Sequence, residues 1–276
     1  MHIKFNNVSF NYKKNIPVLK NINLIFDHSQ IVFIMGHTGC GKTTLVQHLN
    51  GLLFPNEGSV EIDINNKRFL LSKNNKEKKL SDLRKEIGMV FQFPEYQLFE
   101  ASVLKDVMFG PYNFYKDENK AKTLAIEALG KMGIDKSYFE KSPFDLSGGE
   151  KRKVAIAGVL AASPNVLVMD EPTSSLDHVA IREIMELVVT LKKEGKLVIV
   201  ISHDSDLCYE YADRVVIVKD GEIIRDCGVE DAFNDKTILE KTSLKEPFVY
   251  KAKRILKLKD KKIRNLEHLK EVIKNG

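Results

Sequence analysis

Ile31-Val32-Phe33-Ile34-Met35-Gly36-His37-Thr38-Gly39-Cys40-Gly41-Lys42-Thr43-Thr44 is the stretch on which the fold turns. Its first five residues form an unbroken apolar run without polar alternation, the pattern of a parallel strand buried on both faces. The next eight fit G-x-x-x-x-G-K-[S/T], and residues 42–52 read as a helix opening directly from that turn. Glycines at 36, 39 and 41 let backbone N–H groups turn inward around phosphate oxygens, and the helix N-terminus adds positive potential at the same place. Lys42 is placed to neutralise β- and γ-phosphates, and the Thr43 hydroxyl to ligate Mg²⁺. The stretch therefore reads as a nucleotide site. Cys40, beside Lys42 at a helix N-terminus, is expected to carry an acidified thiol whose alkylation inactivates the protein and against which bound nucleotide protects.

Working outward, short apolar runs recur at 89–91, 166–169, 197–201 and 215–218. Between them, helical patterns cover 117–132, 149–162 and 178–194, the first ending at Gly133 and the last at Gly195. Strands alternating with helices predict an α/β fold with a parallel core sheet and helices on both faces. The first 30 residues and residues 58–72 read differently, because the alternation Ser59-Val60-Glu61-Ile62-Asp63-Ile64 predicts antiparallel strands with one wet face. Residues 72–82 (SKNNKEKKLSD) read as a charged loop.

The chain has 276 residues, 43% apolar and 29% charged, ordinary for a folded domain with a sizeable core. No run approaches the roughly 18–20 apolar residues of a membrane span, and the first residues lack a secretory pattern, so a chain neither membrane-spanning nor exported is expected. Cys40, Cys208 and Cys227 are odd in number and far apart, which fits a reducing compartment better than a disulfide or zinc framework. Residues 241–276 hold 12 Lys and Arg against 4 Asp and Glu, while the remainder is slightly acidic. In that basic tail Ile255, Leu258, Ile263, Leu266, Leu269 and Ile273 lie at helical spacing, predicting two short amphipathic helices.

Four polar groups close three separate apolar runs at their carboxyl ends. Asp170 and Glu171 follow 166–169, Asp170 suited to Mg²⁺ and Glu171 to polarising an attacking water. Gln92 follows 88–91 and His203 follows 197–202. Open α/β sheets place ligand sites on that edge. Leu146-Ser147-Gly148-Gly149-Glu150 opens another helix, with Ser147 as cap and the glycines exposing N–H groups to an anion.

The set GHTGCGKTT (36–44), Gln92, LSGGE (146–150), VLVMDEP (166–172), SSLD (174–177) and ISHD (201–204), in that order, resembles the nucleotide-binding subunit of an ABC transporter over residues 1–240. FQFPEYQLF (91–99), LSGGEKRKVAIAGVLA (146–161) and the tail with NLEHL (265–269) resemble more narrowly the ATPases of energy-coupling factor transporters, importers of vitamins and metal ions. That resemblance implies a P-loop ATPase with an N-terminal antiparallel subdomain, a helical subdomain at about 93–163 and a C-terminal helical extension at 241–276. It implies ATP and Mg²⁺ as ligands, with Thr43, Gln92 and Asp170 about the metal and Glu171, His203, Gln92 and Lys42 in catalysis. Tyr12 matches the aromatic that stacks on adenine, and residues 36–44 cradle the phosphates. Ser147, Gly148, Gly149, Glu150 and Asp177 would act across a head-to-tail dimer on the other chain's ATP. The partners implied are a second ATPase, by GHTG a paralogue in a heterodimer, a transmembrane coupling subunit and a substrate-binding membrane subunit, at the cytoplasmic face of the cell membrane.

Two departures stand out: Glu150 where the family usually has Gln, placing an anion near the neighbour's nucleotide, and Ser174-Ser175 where it usually has Ala-Gly. Phe93, Tyr96, Leu98, Phe99 and Val103 are expected to line the groove for the membrane subunit. A conventional ABC importer or exporter ATPase is the nearest alternative. A soluble ABC ATPase acting on ribosomes or DNA is a more distant one, since the chain has one phosphate loop and no long coiled-coil insertion; no nucleic acid is expected.

Overall fold

Alternate residues of the run 31–35 go to opposite cores, and the architecture follows from that split. The computed structural model describes residues 1–75, 80–242, 244–258, 260 and 262–275. Its first half comprises β1 (His2–Phe10), β2 (Leu19–Phe26), β3 (Ile31–Met35), α1 (Lys42–Gln47), β4 (Glu57–Ile64), β5 (Lys67–Ser72), α2 (Leu80–Glu86), β6 (Ile87–Val90), α3 (Val103–Tyr115) and α4 (Glu118–Lys131). Then come α5 (Gly148–Leu160), β7 (Val166–Asp170), α6 (His178–Lys193), β8 (Leu197–Ile201), α7 (Ser205–Tyr211), β9 (Arg214–Lys219), β10 (Glu222–Gly228), α8 (Val229–Asn234), α9 (Lys236–Thr242), α10 (Phe248–Ile255) and α11 (Leu266–Asn275).

The core sheet has strand order β10-β9-β3-β8-β7-β6. Its strands are parallel except β10, which pairs antiparallel with β9 at the edge. Phe33, Met35, Leu167, Met169, Val198 and Val200 face a core shared with α3 to α6. Val32, Ile34, Val166, Val168, Ile199 and Ile201 face a second core, closed by Phe5, Phe26, Val60 and Ile62 of an antiparallel sheet of order β2-β1-β4-β5. The expectation of helices on both faces is thus corrected: one face is roofed mainly by a second sheet, with Leu45 and Val46 of α1 between the layers. The reason lies in β1 and β4, whose buried and exposed residues alternate, so that their one apolar face needs a broad apolar partner. Each fully buried Val, Ile or Phe in these layers contributes about 1.5–3 kcal/mol by removal from water.

Helix ends follow local chemistry. Asp117 caps α4 by accepting from the Lys120 N–H at 3.0 Å, and Gly133 (φ 68°) and Gly195 (φ 85°) follow α4 and α6 in left-handed conformation. Helix α1 stops at Gln47 rather than 52, because the His48 and Leu49 N–H groups tighten onto the Leu45 and Val46 carbonyls and Gly51 turns left-handed. Of the charged loop expected at 72–82, residues 76–79 lie outside the described residues and α2 already begins at Leu80.

The two tail helices appear as α10 and α11, and the extension packs into the main core through Leu244, Val249, Ile263 and Leu269. Lys253 is buried and donates to the Tyr209 hydroxyl at 2.6 Å and to Glu230 at 2.9 Å. Ile255, Leu266 and Ile273 of the same apolar stripe stay exposed. Among the described residues no helix is long and apolar enough to cross a membrane.

Candidate functional site

Strands β3, β8, β7 and β6 are neighbours and run in one direction, so the residues following them emerge side by side at one edge. There the phosphate loop, His203, Asp170 with Glu171, and Gln92 border a single cavity of about 450 Å³, with Tyr12 at its rim.

The loop is shaped by its glycines. At Gly36 (φ 148°) a Cβ would stand 2.1 Å from the Val218 carbonyl oxygen, and at Gly41 (φ 107°) 3.0 Å from that of Val18. Any side chain there displaces backbone. Lys42 folds back over the loop, its Nζ donating to the Gly36 carbonyl at 2.8 Å and the His37 carbonyl at 3.0 Å. The ammonium is thereby held at the centre of the cradle before any phosphate arrives.

The Thr43 hydroxyl donates to an Asp170 carboxylate oxygen at 2.6 Å. Burial pushes the Asp170 carboxyl up from the usual carboxylate range, against the opposing effect of the Thr43 bond. A hydroxyl and a carboxylate in contact are hard oxygen donors suited to Mg²⁺, which takes few protein ligands and completes its shell with phosphate and water oxygens. Among the described residues no group of three or more His, Cys, Asp or Glu gathers as an all-protein metal site.

Glu171 is held in the left-handed region (φ 49°) while its N–H donates to the Ile201 carbonyl at 3.0 Å. For a non-glycine residue this costs about 1–2 kcal/mol, and such strain gathers at functional sites. Its carboxylate meets His203 Nδ1 at 3.0 and 3.1 Å, the histidine side chain 73% exposed and the glutamate 16%. Tyr12 bonds Thr44 through its hydroxyl at 3.2 Å and rests edge-on against Phe10 at 4.9 Å, which leaves a ring face free.

Two expectations fail here. Cys40 is 1% exposed and packed into the inter-sheet core, and burial raises its thiol pKa more than the Lys42 charge lowers it. The expected acidic, reactive cysteine is therefore a buried thiol. Leu98 and Val103 belong to the core beneath the loop after Gln92, not to an open groove. Phe93, Tyr96 and Phe99 do stand at the surface, Tyr96 84% exposed and Phe99 stacked edge-on with Phe109 of α3 at 4.9 Å.

Ser147, Gly148, Gly149, Glu150 and Asp177 do not border the cavity. Ser147 and Glu150 form a reciprocal cap on α5: Glu150 N–H donates to Ser147 Oγ at 3.4 Å, while the Glu150 carboxylate accepts from the Ser147 N–H at 2.8 Å and hydroxyl at 2.6 Å. The Ser147 hydroxyl and N–H hold the Glu150 carboxyl below its ordinary range. The Glu150 carboxylate is thus tied to its own helix start. Asp177 caps α6 by accepting from the Ala180 N–H at 2.9 Å.

Ser174 borders the cavity as well, and its hydroxyl donates to the Glu171 carbonyl at 3.0 Å. Arg152 of α5, buried and paired with Glu95 of the loop after Gln92, carries no motif that marks it in the sequence. The signal available was a cation inside a helix turning an apolar face to the core.

The family model described as "ABC transporter" matches residues 19–174. The chain is 43% identical to the energy-coupling factor transporter ATP-binding protein EcfA2 of Streptococcus pyogenes serotype M28, over all of both chains. It is 43% identical to the protein of the same name from Lactobacillus gasseri, covering 93% of this chain and 89% of that one. Among solved structures it is similar to cbiO1 of Clostridium perfringens, described as part of the ABC transporter complex cbiONQ, with TM-score 0.74, 35% identity and coverage of 93% and 98%. It is also similar to the dimeric ATP-binding cassette MJ0796 bound to ADP and Pi, with TM-score 0.72, 31% identity and coverage of 82% and 98%.

Proposed function

The chain belongs to the ABC transporter family, as an ATP-hydrolysing subunit of the energy-coupling factor type, and from that premise we propose how its residues divide the work. The loop 36–44 wraps the triphosphate and Lys42 exchanges its two loop carbonyls for β- and γ-phosphate oxygens. Tyr12 stacks on adenine. Glu171 polarises the attacking water, with His203 orienting its carboxylate and reaching the γ-phosphate. Thr43, Asp170 and Gln92 would hold Mg²⁺, which would screen the phosphate charge when bound.

Ser147 to Glu150 and Asp177 complete the site of a second ATPase chain, a paralogue in a heterodimer. What supports this is their position away from the chain's own cavity, together with the dimeric arrangement named for one structural relative. The exposed Tyr96, Phe99 and Phe109 receive a transmembrane coupling subunit, which brings with it a substrate-binding membrane subunit for vitamins or metal ions. The protein is then peripheral at the cytoplasmic membrane face, with residues 241–276 as an extension of the 1–240 ATPase domain, whose helical subdomain spans 93–163.

The single observation that carries this reading is the convergence of Lys42, Thr43–Asp170, Glu171–His203 and Gln92 on one sheet edge. The test is affinity purification of tagged Glu171→Gln chain from detergent-solubilised membranes in MgATP. Retained ATP, arrested turnover and a second ATPase with polytopic partners are expected. Lys42→Ala is expected to lose the nucleotide, and Tyr96→Ser with Phe99→Ser to lose only the membrane chains. Near-normal turnover by Glu171→Gln removes Glu171 from its role.

A further inference from the structure

Arg152 lies in the second turn of α5, two residues past the Ser147–Glu150 cap, with its side chain 4% exposed. Its Nε and Nη2 donate to the two carboxylate oxygens of Glu95 at 3.0 and 2.9 Å. Its third nitrogen, Nη1, points the other way and donates to the Ser174 carbonyl at 2.7 Å and the Pro172 carbonyl at 3.5 Å. The guanidinium also lies 6.0 Å from the centre of the Phe93 ring. One planar cation thus joins the loop after Gln92 to the loop after Glu171, from the helix that begins at LSGGE.

Both ends lead into the site in very few bonds. Ser174 is tied to Glu171 twice, its N–H and its hydroxyl donating to the Glu171 carbonyl at 3.2 and 3.0 Å. Glu171 is the residue in left-handed conformation whose carboxylate meets His203. On the other side Phe93 (φ 54°) directly follows Gln92, and Glu95 precedes the most exposed aromatic of the surface, Tyr96. The hydroxyl of Ser174 stands at one of the positions where this chain departs from the Ala-Gly of its family, so the tie to Glu171 has one more hydrogen bond than alanine provides.

We propose that Arg152 is a positioning residue for ATP hydrolysis, bracing the Glu171 backbone through Ser174 while its Glu95 end links that brace to the exposed aromatic loop after Gln92. Only a guanidinium serves here, since one planar fork satisfies a carboxylate with one edge and a carbonyl with the other. Lysine has the charge but a single nitrogen centre. A shift of Glu95 on the surface moves the fork, and the fork moves the carbonyl on which the Glu171 turn is hung. A misplacement of about 1 Å caused by a change remote from the reacting atoms lowers kcat by up to about 100-fold.

The proposal rests on the role of Glu171 given above, and the experiment separates the two. The complex recovered with the full chain from its membranes is assayed for kcat and KM of MgATP and for affinity of a fluorescent ATP analogue. The chains compared are wild type, Arg152→Lys, the exchange Arg152→Glu with Glu95→Arg, and Glu171→Gln. Arg152→Lys is expected to lower kcat about tenfold or more while KM and analogue affinity stay within about twofold. The exchange restores an ion pair but puts no donor from α5 on the Ser174 carbonyl, so its kcat stays low even if its melting temperature recovers. Wild-type kcat in folded Arg152→Lys, or in the exchange, overturns the brace while Glu171→Gln remains inactive. Turnover by Glu171→Gln instead overturns the underlying role of Glu171. If the exchange does not fold, Arg152→Lys decides alone.

Discussion

Replacing Thr43 by Val removes one hydroxyl, the donor of the 2.6 Å bond to Asp170, and keeps the shape and branching of the side chain. Hydrogen bonds to a charged group contribute about 1.5–3 kcal/mol. Asp170 is buried, but Thr43 is exposed, so water takes up part of the vacated acceptor and the loss falls to about 1–1.5 kcal/mol. For a chain of this size that corresponds to about 2–6 °C in melting temperature. The measurement is a thermal or urea melt in EDTA without nucleotide, comparing wild type, Thr43→Val and Thr43→Ser, which keeps the hydroxyl. The sign with pH is fixed. The Thr43 bond opposes the upward push of burial on Asp170, so it stabilises the ionised form. The gap between wild type and Thr43→Val is therefore present above the Asp170 pKa and closes as pH falls through it. In an Asp170→Asn background the Thr43→Val cost should shrink, since the charged acceptor is gone. Equal melts for Thr43→Val and wild type at neutral pH refute the reasoning, as does a gap that persists unchanged into acid.

Cys40 should alkylate no faster than the partly exposed Cys227, because its thiol is buried and its pKa raised by that burial; peptide mass spectrometry after brief iodoacetamide treatment measures both, and preferential Cys40 labelling would contradict the structure. His48 is buried with Nε2 unpaired, and burial pushes its pKa from 6.5 down to about 4. The unfolded chain binds that proton first, so stability present above pH 6.5 falls by about 3 kcal/mol as pH drops to about 4, then levels. His48→Gln should flatten the pH slope of the urea midpoint in that window, and an unchanged slope would assign the acid sensitivity elsewhere.

The central strands and the phosphate loop were legible because each is a local pattern: an unbroken apolar run needs two cores, and glycines at 36, 39 and 41 mark a turn held at positive φ, crowded by backbone at 36 and 41. The antiparallel strand at 59–64 was legible for the complementary reason, its strict alternation. That the antiparallel sheet would roof the parallel one was not, because pairing of layers is set by which apolar face remains uncovered, and this depends on all strands at once. Cys40 was misread for a similar cause: its sequence neighbours Lys42 and the helix start argue for an acidic thiol, while the atoms around its sulfur come from the inter-sheet core. Leu98 and Val103 share a stretch with Tyr96 and Phe99, and apolar character alone does not distinguish the residue that supports a loop from the one that faces out of it. Arg152 and Glu95 are 57 residues apart, and only the packing of α5 under the loop after Gln92 brings them together.

Glycines of two kinds separate what this chain needs for itself from what it offers to others. Gly36 and Gly41 sit at positive φ with backbone oxygens within 3.0 Å of any added Cβ, so the fold of the single chain requires them. Gly148 and Gly149 have no positive φ, and a Cβ on either would meet nothing within 4 Å. They stand in the first turn of α5, where glycine costs up to about 1 kcal/mol relative to alanine. Among the described residues nothing packs within 4 Å of where those Cβ atoms would stand. The first N–H groups of a helix have no intrahelical acceptor, and at these two positions no side chain shields them. In the proposed pair of ATPase chains, the group that approaches this bare backbone comes from outside the chain and accepts hydrogen bonds. A phosphate held in a second chain's loop meets both conditions. The same cap that turns Glu150 back on Ser147 leaves those two N–H groups uncovered, so the Glu for Gln exchange keeps the surface open to an anion.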